Sequence, residues 1–315
     1  MAEALDDDEV FVYMGGDQQV PDEVRRARIH KSVKIIRARA FYWRQHLISV
    51  EFHDGVEIIE EEAFYYCDSL RSAIKLLGVK IIKAKAFFHC HALTDVEFGD
   101  KLETIEQLAF TACNALTKIR MPSVTTIGDA FGNCLNLFDV EFGEALMTLG
   151  EWAFTNCPKL KRIALPLRSN MIRNHVFEYC PMLTTVDLVG GINHTIASLH
   201  MESWRNEMNI KINSINEELP TLRYQTSVIE QWMRLAAESL DYYKDEHKAI
   251  VKEATTLLEL ALWKANLDGS GGGEGEREGV RTTRGSRKRA RKESCVTSGA
   301  DVVIKNVLPF LQLLE

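Results

Sequence analysis

Six cysteines at near-constant spacing are the residues of this chain whose types could do chemistry as a set. Cys67, Cys90, Cys113, Cys134, Cys157 and Cys180 each lie three residues after a phenylalanine. Thiols that converge on one point bind zinc or cycle as redox pairs. The spacing argues against both. No Cys-x-x-Cys pair occurs, and one thiol per structural rung forms a row about 4.8 Å apart, not a converging set. Free cysteine often serves as a small buried hydrophobe, and the row reads that way. His89-Cys90-His91 looks ligand-like, but with Cys90 facing inward its two neighbours point elsewhere. The chain has no Gly-x-Ser-x-Gly, no His-Glu-x-x-His and no phosphate loop. Asn193-His194-Thr195 matches a glycosylation acceptor, which matters only in a secreted chain. The expectation is a protein that is not an enzyme and holds no metal and no cofactor.

The elements that position the cysteines follow from a repeat. Ala-Phe recurs at Ala40-Phe41, Ala63-Phe64, Ala86-Phe87, Ala109-Phe110, Ala130-Phe131 and Ala153-Phe154, and Val176-Phe177 continues the series. The Phe spacings are 23, 23, 23, 21, 23 and 23. Arg44 fills the first cysteine slot, and a leucine follows each slot by three residues, from Leu47 to Leu183. Each leucine opens an alternating segment such as Leu93-Thr94-Asp95-Val96-Glu97-Phe98, the period of a half-buried strand. A turn follows, then a second extended apolar position: Ile59, Ile82, Ile105, Ile127, Leu149 or Ile172. The Ala-Phe-x-x-Cys stretch reads as one helical turn with Ala, Phe and Cys inward. No unit can bury its own apolar face, so stacked neighbours must make the core. Phe64, Phe87, Phe110, Phe131, Phe154 and Phe177 are therefore expected to form a core ladder beside the six cysteines. In the third strand Ala73 holds the Val slot while Ile74 and Leu76 alternate one position late, which reads as a local bulge. Val50-Glu51-Phe52, Val96-Glu97-Phe98 and Val140-Glu141-Phe142 recur at 46 and 44 residues, so the duplicated unit is a pair of repeats.

The pattern Leu-x-x-Val-x-Phe … Ile-x-x-x-Ala-Phe-x-x-Cys-x-x-Leu resembles the BspA-type leucine-rich repeat over about residues 24–190. The whole chain is also similar to leucine-rich-repeat proteins of diatoms. The resemblance implies a curved α/β solenoid with a parallel sheet on one face and a binding role without catalytic residues. The expected organisation is an acidic tail and cap over 1–23, the solenoid over 24–197, and a helical hairpin or coiled-coil-like cap over 198–267. A disordered Gly-rich and basic linker is expected over 268–298, and an apolar segment over 299–315.

Two surfaces of the solenoid are candidates for a protein partner. Outward positions of the strands read Glu51, Asp95, Glu97, Lys118, Arg120, Asp139, Glu141, Arg162 and Asp187. Acidic and basic rungs alternate, which lets neighbours pair, since like charges directly opposite repel. This face is either self-satisfied or a charge-coded groove. At the two positions after Phe the first units carry Tyr42-Trp43, Tyr65-Tyr66 and Phe88-His89, whereas later units have Thr111-Ala112, Gly132-Asn133, Thr155-Asn156 and Glu178-Tyr179. These aromatics are either covered by Phe11 and Tyr13 or form an exposed partner surface.

Beyond Gly190-Gly191 the spacing becomes helical: Met201, Trp204, Met208, Ile212, Ile215 and Leu219 up to Pro220. A second run from Ile229 through Met233, Ala236, Leu240, Tyr243, His247, Ile250, Ala254, Leu257 and Ala261 steps by four and three, a heptad seam. It is read either as a hairpin capping the solenoid or as a homodimer seam within 226–264, with Ala and His at seam positions counting against the second. Arg281 to Lys292 carries seven positive charges and no negative one. Lys288, Arg289 and Arg291 fit a short import-like signal. Ile304, Leu308, Leu311 and Leu313 resemble an export-type spacing, but the stronger reading of this apolar end is a segment on a long linker that folds back onto the hairpin's seam.

The chain has 315 residues, 46 % hydrophobic and 26 % charged, with a formal net charge of −7. That is ordinary globular composition, and the length is enough for a sizeable core without disulfide staples. A broad nucleic-acid surface conflicts with the negative charge, so contact with nucleic acid is expected only through the basic tail, where binding would weaken steeply with salt. No membrane association is expected. The acidic N-terminus lacks a basic n-region and an apolar h-region, so the expectation is an intracellular protein of nucleus or cytoplasm with its cysteines as thiols.

Overall fold

The computed structural model of the protein describes residues 10–189, 199, 201–219 and 225–270. In chain order the strands are β1 (Val10–Tyr13), β2 (Arg26–Ile29), β3 (Ile35–Ile36), β4 (Ser49–Glu51), β5 (Ile58–Ile59), β6 (Ile74–Leu76), β7 (Ile81–Ile82) and β8 (Val96–Phe98). They continue as β9 (Thr104–Ile105), β10 (Lys118–Met121), β11 (Thr126–Ile127), β12 (Asp139–Phe142), β13 (Thr148–Leu149), β14 (Arg162–Leu165) and β15 (Thr185–Leu188). Two helices follow, α1 (Glu202–Glu218) and α2 (Gln225–Ser270).

Every pairing is parallel, and each strand pairs with its counterpart one repeat away. On one side of the rungs the second apolar position of each repeat builds a single ladder, β3-β5-β7-β9-β11-β13, extended by a bridge from Leu149 to Ile172. The other side is a line of longer strands in three pieces, β1-β2-β4, β6-β8 and β10-β12-β14-β15. The first gap falls where Ala73 occupies the Val slot. Ile74 takes over that slot one residue late, pairs with Val96, and is buried.

The third side corrects one expectation. The Ala-Phe-x-x-Cys stretch is not a helical turn but a chain of β-turns. In the second rung the N–H groups of Ala63, Tyr65 and Cys67 donate three residues back, to the carbonyls of Glu60, Glu62 and Phe64. The alternate N–H groups of Glu62, Phe64 and Tyr66 donate to Ala84, Ala86 and Phe88 of the next rung at 3.1, 2.7 and 2.9 Å. A helix would direct all of these donors along its own axis and leave none for the neighbouring rung. The alternation requires left-handed residues, and Glu62 and Tyr66 have φ of 55° and 57°. The same two positions recur along the stack, as in Lys85 and His89 or Trp152 and Asn156.

The short 21-residue interval deletes one of these corners. Arg39, Glu62, Lys85, Leu108, Trp152 and His175 hold the left-handed corner before Ala-Phe or Val-Phe, but no residue between Ile127 and Ala130 does. Ala130 N–H instead reaches the Gly128 carbonyl at 2.8 Å. The backbones close in there: a Cβ on Gly128 would sit 2.9 Å from Gln107 N, and one on Gly150 would sit 2.8 Å from Gly128 C.

Inside, the Phe rings stack from Phe41 to Phe177, with centroids 4.8 to 6.2 Å apart and planes within 18°. Phe52, Phe98 and Phe142 tilt onto Phe64, Phe110 and Phe154, so the two-repeat duplication appears in the core as an extra ring on alternate rungs. The six cysteines are free and buried. They are more than small hydrophobes: each Sγ donates to the carbonyl of a Phe one rung earlier, at 3.1 to 3.3 Å.

Both ends of the stack are capped by side chains that replace a missing rung. At the N-terminal end β1 pairs with β2, and Tyr13 lies with its ring centroid 5.3 Å from Phe41. The first rung has no earlier Phe carbonyl for a thiol, and Arg44 stands in the slot instead. Its guanidinium donates to the Val20 carbonyl at 2.6 and 2.9 Å and pairs with Asp22 at 2.9 Å. At the other end Phe177 N–H, which would have donated to a further rung, donates to Thr226 Oγ1 at 2.9 Å. Asn216 acts as one peptide unit of a next strand. Its Oδ1 accepts from Val186 N–H at 2.7 Å and its Nδ2 donates to Val186 O at 3.1 Å. Gln225 Nε2 donates to the Leu183 carbonyl at 2.9 Å.

α1 buries Trp204, Met208, Ile212 and Ile215, and the first turns of α2 bury Ile229, Met233, Ala236 and Leu240. Trp232 Nε1 donates to the Lys211 carbonyl at 2.6 Å, which ties the two helices together. This is the hairpin cap, and it uses the first part of the heptad seam within the chain. The contacts divide the chain into two units after Leu240. In the second unit Tyr243 and Val251 are buried, whereas Ile250, Leu257, Leu260, Leu262 and Trp263 are exposed. α2 also runs through Asp268 to Ser270, three residues into the stretch expected to be linker. The rest of the expected linker, the basic run and the apolar segment lie outside the described residues.

Candidate functional site

The aromatic residues after Phe form two stacked rows on the turn side of the first three rungs. One row is Tyr42, Tyr65 and Phe88, with successive centroids 5.1 Å apart and planes 8° apart. The other is Trp43, Tyr66 and His89, at 4.8 and 4.4 Å. The turn chain explains the arrangement. Successive rungs superpose in register about one strand spacing apart, so equivalent side chains stack face to face. The middle rings Tyr65 and Tyr66 have both faces covered, and the Arg39 guanidinium lies 5.5 Å from the Tyr42 ring centroid. What the patch presents outward is therefore ring edges, hydroxyls and the indole of Trp43, which is 47 % exposed.

Tyr13 does not cover these rings. It is buried and closes the end of the internal Phe row. Phe11 pairs with Ala27 on the strand side of the rung. Of the two alternatives, cover by Tyr13 is excluded by its position. Burial, followed by the neighbouring Tyr66 and Tyr42, raises the Tyr65 hydroxyl above the ordinary tyrosine value, so it remains a neutral donor. Burial, followed by His91, lowers His89. Beyond the second row, His46, Asp68, Ser69 and Ala92 line a shallow hollow of about 380 Å³ together with Arg25 and Arg71.

His89 and His91 are in contact, Nδ1 to Nε2 at 3.2 Å, and His91 Nδ1 lies 2.9 Å from the Ala112 carbonyl. Cys90 between them points inward and donates to the Phe64 carbonyl. Among the described residues no group of three or more His, Cys, Asp or Glu is placed to hold a metal ion. Burial drives the thiols of Cys67, Cys90, Cys113 and Cys134 up from the ordinary cysteine value, Cys134 to about 12, so these four remain protonated and unreactive.

The strand face is a set of paired charges. Arg162 reaches Asp139 and Asp187, both at 2.9 Å, and Glu141 at 3.8 Å. Arg120 lies 3.8 Å from Glu141, and Lys75 pairs with Glu97 at 3.2 Å. Glu51 pairs with Arg28 at 2.5 Å, and Lys118 sits over the Phe138 ring at 5.1 Å. Asp95 lies just before β8, and its carbonyl accepts Ile74 N–H at 3.1 Å. Of the residues named from the sequence, Arg120, Asp139, Glu141, Arg162 and Asp187 are brought together with one another, whereas Glu51, Glu97 and Lys118 meet residues outside that set.

A second charged ladder escaped the sequence reading. Glu57 lies between Lys34 and Lys80, Glu60 between Arg37 and Lys83, and Glu62 between Arg39 and Lys85. Acid and base alternate by rung at fixed 23-residue spacing here too, a signal present in the sequence but in the turns outside the alternating strand segments. The capping residues Asn216, Gln225 and Thr226 had no such signal. Another hollow, of about 340 Å³, is walled by Gln225, Thr226 and the last rung. Those two side chains are already committed to backbone hydrogen bonds. Lys288, Arg289, Arg291 and the export-type leucines lie outside the described residues. No helix among the described residues is long and apolar enough to cross a membrane.

The parallel rungs of about 23 residues with an inward Phe and Cys ladder define a leucine-rich-repeat solenoid. The family model "BspA type Leucine rich repeat region" matches in six copies over residues 23–130 and 123–226, and the chain belongs to that family. Among solved structures the chain is similar to a leucine-rich repeat protein of Bacteroides ovatus, at 28 % identity over 57 % of this chain and 45 % of that one, with a TM-score of 0.47. It is also similar to the Treponema pallidum leucine rich repeat protein, at 25 % identity over 48 % and 61 %, with a TM-score of 0.38. A leucine-rich repeat protein of Eubacterium ventriosum matches at 19 % identity over 56 % and 53 %, with a TM-score of 0.40. The chain spans about half to three-fifths of the length of these relatives. No curated protein matches.

Proposed function

We propose that the protein is a non-catalytic scaffold that binds another protein through the paired aromatic rows of its first three rungs. The observation that carries this reading is the contrast between its two candidate surfaces. On the strand face most of the charges already pair with a neighbouring rung, as Arg162 does with Asp139 and Asp187, so a partner there would have to exchange one ion pair for another, and exposed pairs are worth only about 0–1 kcal/mol each. The aromatic rows present Trp43 and the tyrosine edges and hydroxyls with no polar rung over them. Exposed aromatic clusters that combine apolar area with hydrogen-bonding tips are characteristic of protein interfaces.

A photo-crosslinking amino acid placed at Tyr65 tests this in the native cell. The reading expects an adduct with a second polypeptide that disappears when Trp43 and Tyr66 are changed to Ser. Adducts that form from Lys118 or Glu141 positions instead, and not from Tyr65, would move the partner surface to the strand face.

A further inference from the structure

The second half of α2 carries an apolar strip that the solenoid cap does not use. Ile250, Ala254, Leu257 and Ala261 recur at spacings of four, three and four, which places them on one face, with Leu262 beside them. Ile250 is 42 % exposed, Leu257 60 % and Leu262 48 %. The same heptad seam is buried earlier in the helix at Ile229, Met233, Ala236 and Leu240. Something of apolar character therefore belongs on the later strip.

A second copy of the chain fits poorly. From Ile250 to Leu262 the strip is about 20 Å long and about 10 Å wide. Stable dimers bury roughly 800 Å² on each partner, several times more. A segment tethered to the same helix needs far less area, because its effective concentration is of millimolar order. The chain supplies one. After Ser270 it runs on for 45 residues and ends in Val302, Val303, Ile304, Val307, Leu308, Phe310, Leu311, Leu313 and Leu314. The 31 residues between Ser270 and Val302 can span up to about 100 Å, whereas Ile250 lies only about 30 Å back along the helix.

We infer that residues 302–314 dock in cis on the Ile250–Leu262 strip of α2. Amide hydrogen exchange over 250–264 tests this in the full chain, in a chain ending at residue 298, and in the full chain carrying Leu308→Asp with Leu311→Asp. Removing the segment or adding the two aspartates is expected to speed exchange in 250–264 by on the order of tenfold, with the solenoid amides unchanged. Adding a peptide of residues 299–315 to the shortened chain is expected to slow it again. Equal exchange over 250–264 in all three proteins would overturn the inference. So would protection that rises with protein concentration and is lost in Leu257→Asp but not on truncation, because the occupant would then be a second copy.

Discussion

The thiol of Cys113 donates a hydrogen bond to the backbone carbonyl of Phe87, 26 residues earlier, at 3.2 Å. The same carbonyl accepts Cys90 N–H at 3.2 Å, so it carries one bond within its own turn and one from the next rung. Cysteine thus combines the volume of a small hydrophobe with a weak donor aimed between rungs, which explains its recurrence in a slot where Ala or Val would also fit. Replacing Cys113 by Ala removes the second bond and leaves the first, for an expected cost of about 1–2 kcal/mol. Cys113→Ser keeps a donor but shortens its reach and buries a hydroxyl, and should cost more. Phe110→Ala opens a cavity in the stacked row and should cost about 3–5 kcal/mol. Urea denaturation midpoints rank the three, and equal midpoints would contradict the core described.

The same burial governs reactivity. Cys67, Cys90, Cys113, Cys134, Cys157 and Cys180 are all buried, and the thiols of the first five are raised above the ordinary cysteine value. In the folded protein a thiol-specific disulfide reagent should leave all six unmodified, and all should react once urea unfolds the chain. The chain's seventh cysteine, Cys295, lies outside the row, so rapid loss of two or more thiols under native conditions would contradict the inward register.

The partial burial of His89 should give the fold a pH dependence. Its value is lowered from 6.5 by burial first and by His91 second, with Asp68 acting weakly the other way. As pH falls, the unfolded chain takes up this proton before the folded one. The contribution of His89 is therefore complete above the unfolded value and is lost as pH falls through the folded value. The thermal midpoint should drop as pH falls below the ordinary histidine value of 6.5, and that of His89→Asn should drop less, since asparagine does not titrate and tolerates the left-handed backbone. Identical pH profiles for both proteins would remove His89 from this role.

The C-terminal cap should be separable from the rest of the solenoid. Asn216→Ala deprives Val186 of both partners supplied by that side chain, at an expected cost of about 1–3 kcal/mol. Amide exchange should rise first in β15 and leave β3 to β9 unaffected. A uniform rise along the stack would mean that the rungs unfold as one cooperative block.

The repeat was legible in the sequence because Phe, Cys and Leu each occupy a slot that only one environment explains. Ile74 shows the limit of that legibility in the strands: a one-residue shift was visible as a bulge, but the resulting gap between β4 and β6 was not. The turns are not legible as turns in the sequence, because their left-handed corners lack glycine. Glu62, Tyr66, Lys85 and His89 hold positive φ without being glycine, so the inter-rung hydrogen bonds, not residue preference, set the backbone there. Of the candidate site, the membership of the aromatic patch could be read from position alone. That its rings show edges rather than faces follows from rung spacing and required the structure. Asn216 and Thr226 were not readable, because their role depends on where a helix meets the last rung.

The central claim is that the aromatic rows of the first three rungs bind a protein partner. Proximity labelling in the native cell tests it most directly when the natural chain is compared with a variant carrying Tyr42→Ser, Trp43→Ser, Tyr65→Ser and Tyr66→Ser. The stacked pairs contribute about 0.5–1.5 kcal/mol each beyond their buried area, so the variant should be somewhat less stable. Its solenoid circular dichroism should be preserved, because the internal Phe and Cys rows are untouched. The account predicts that the folded variant loses a discrete set of labelled neighbours. An unchanged set of neighbours around a folded variant would contradict it.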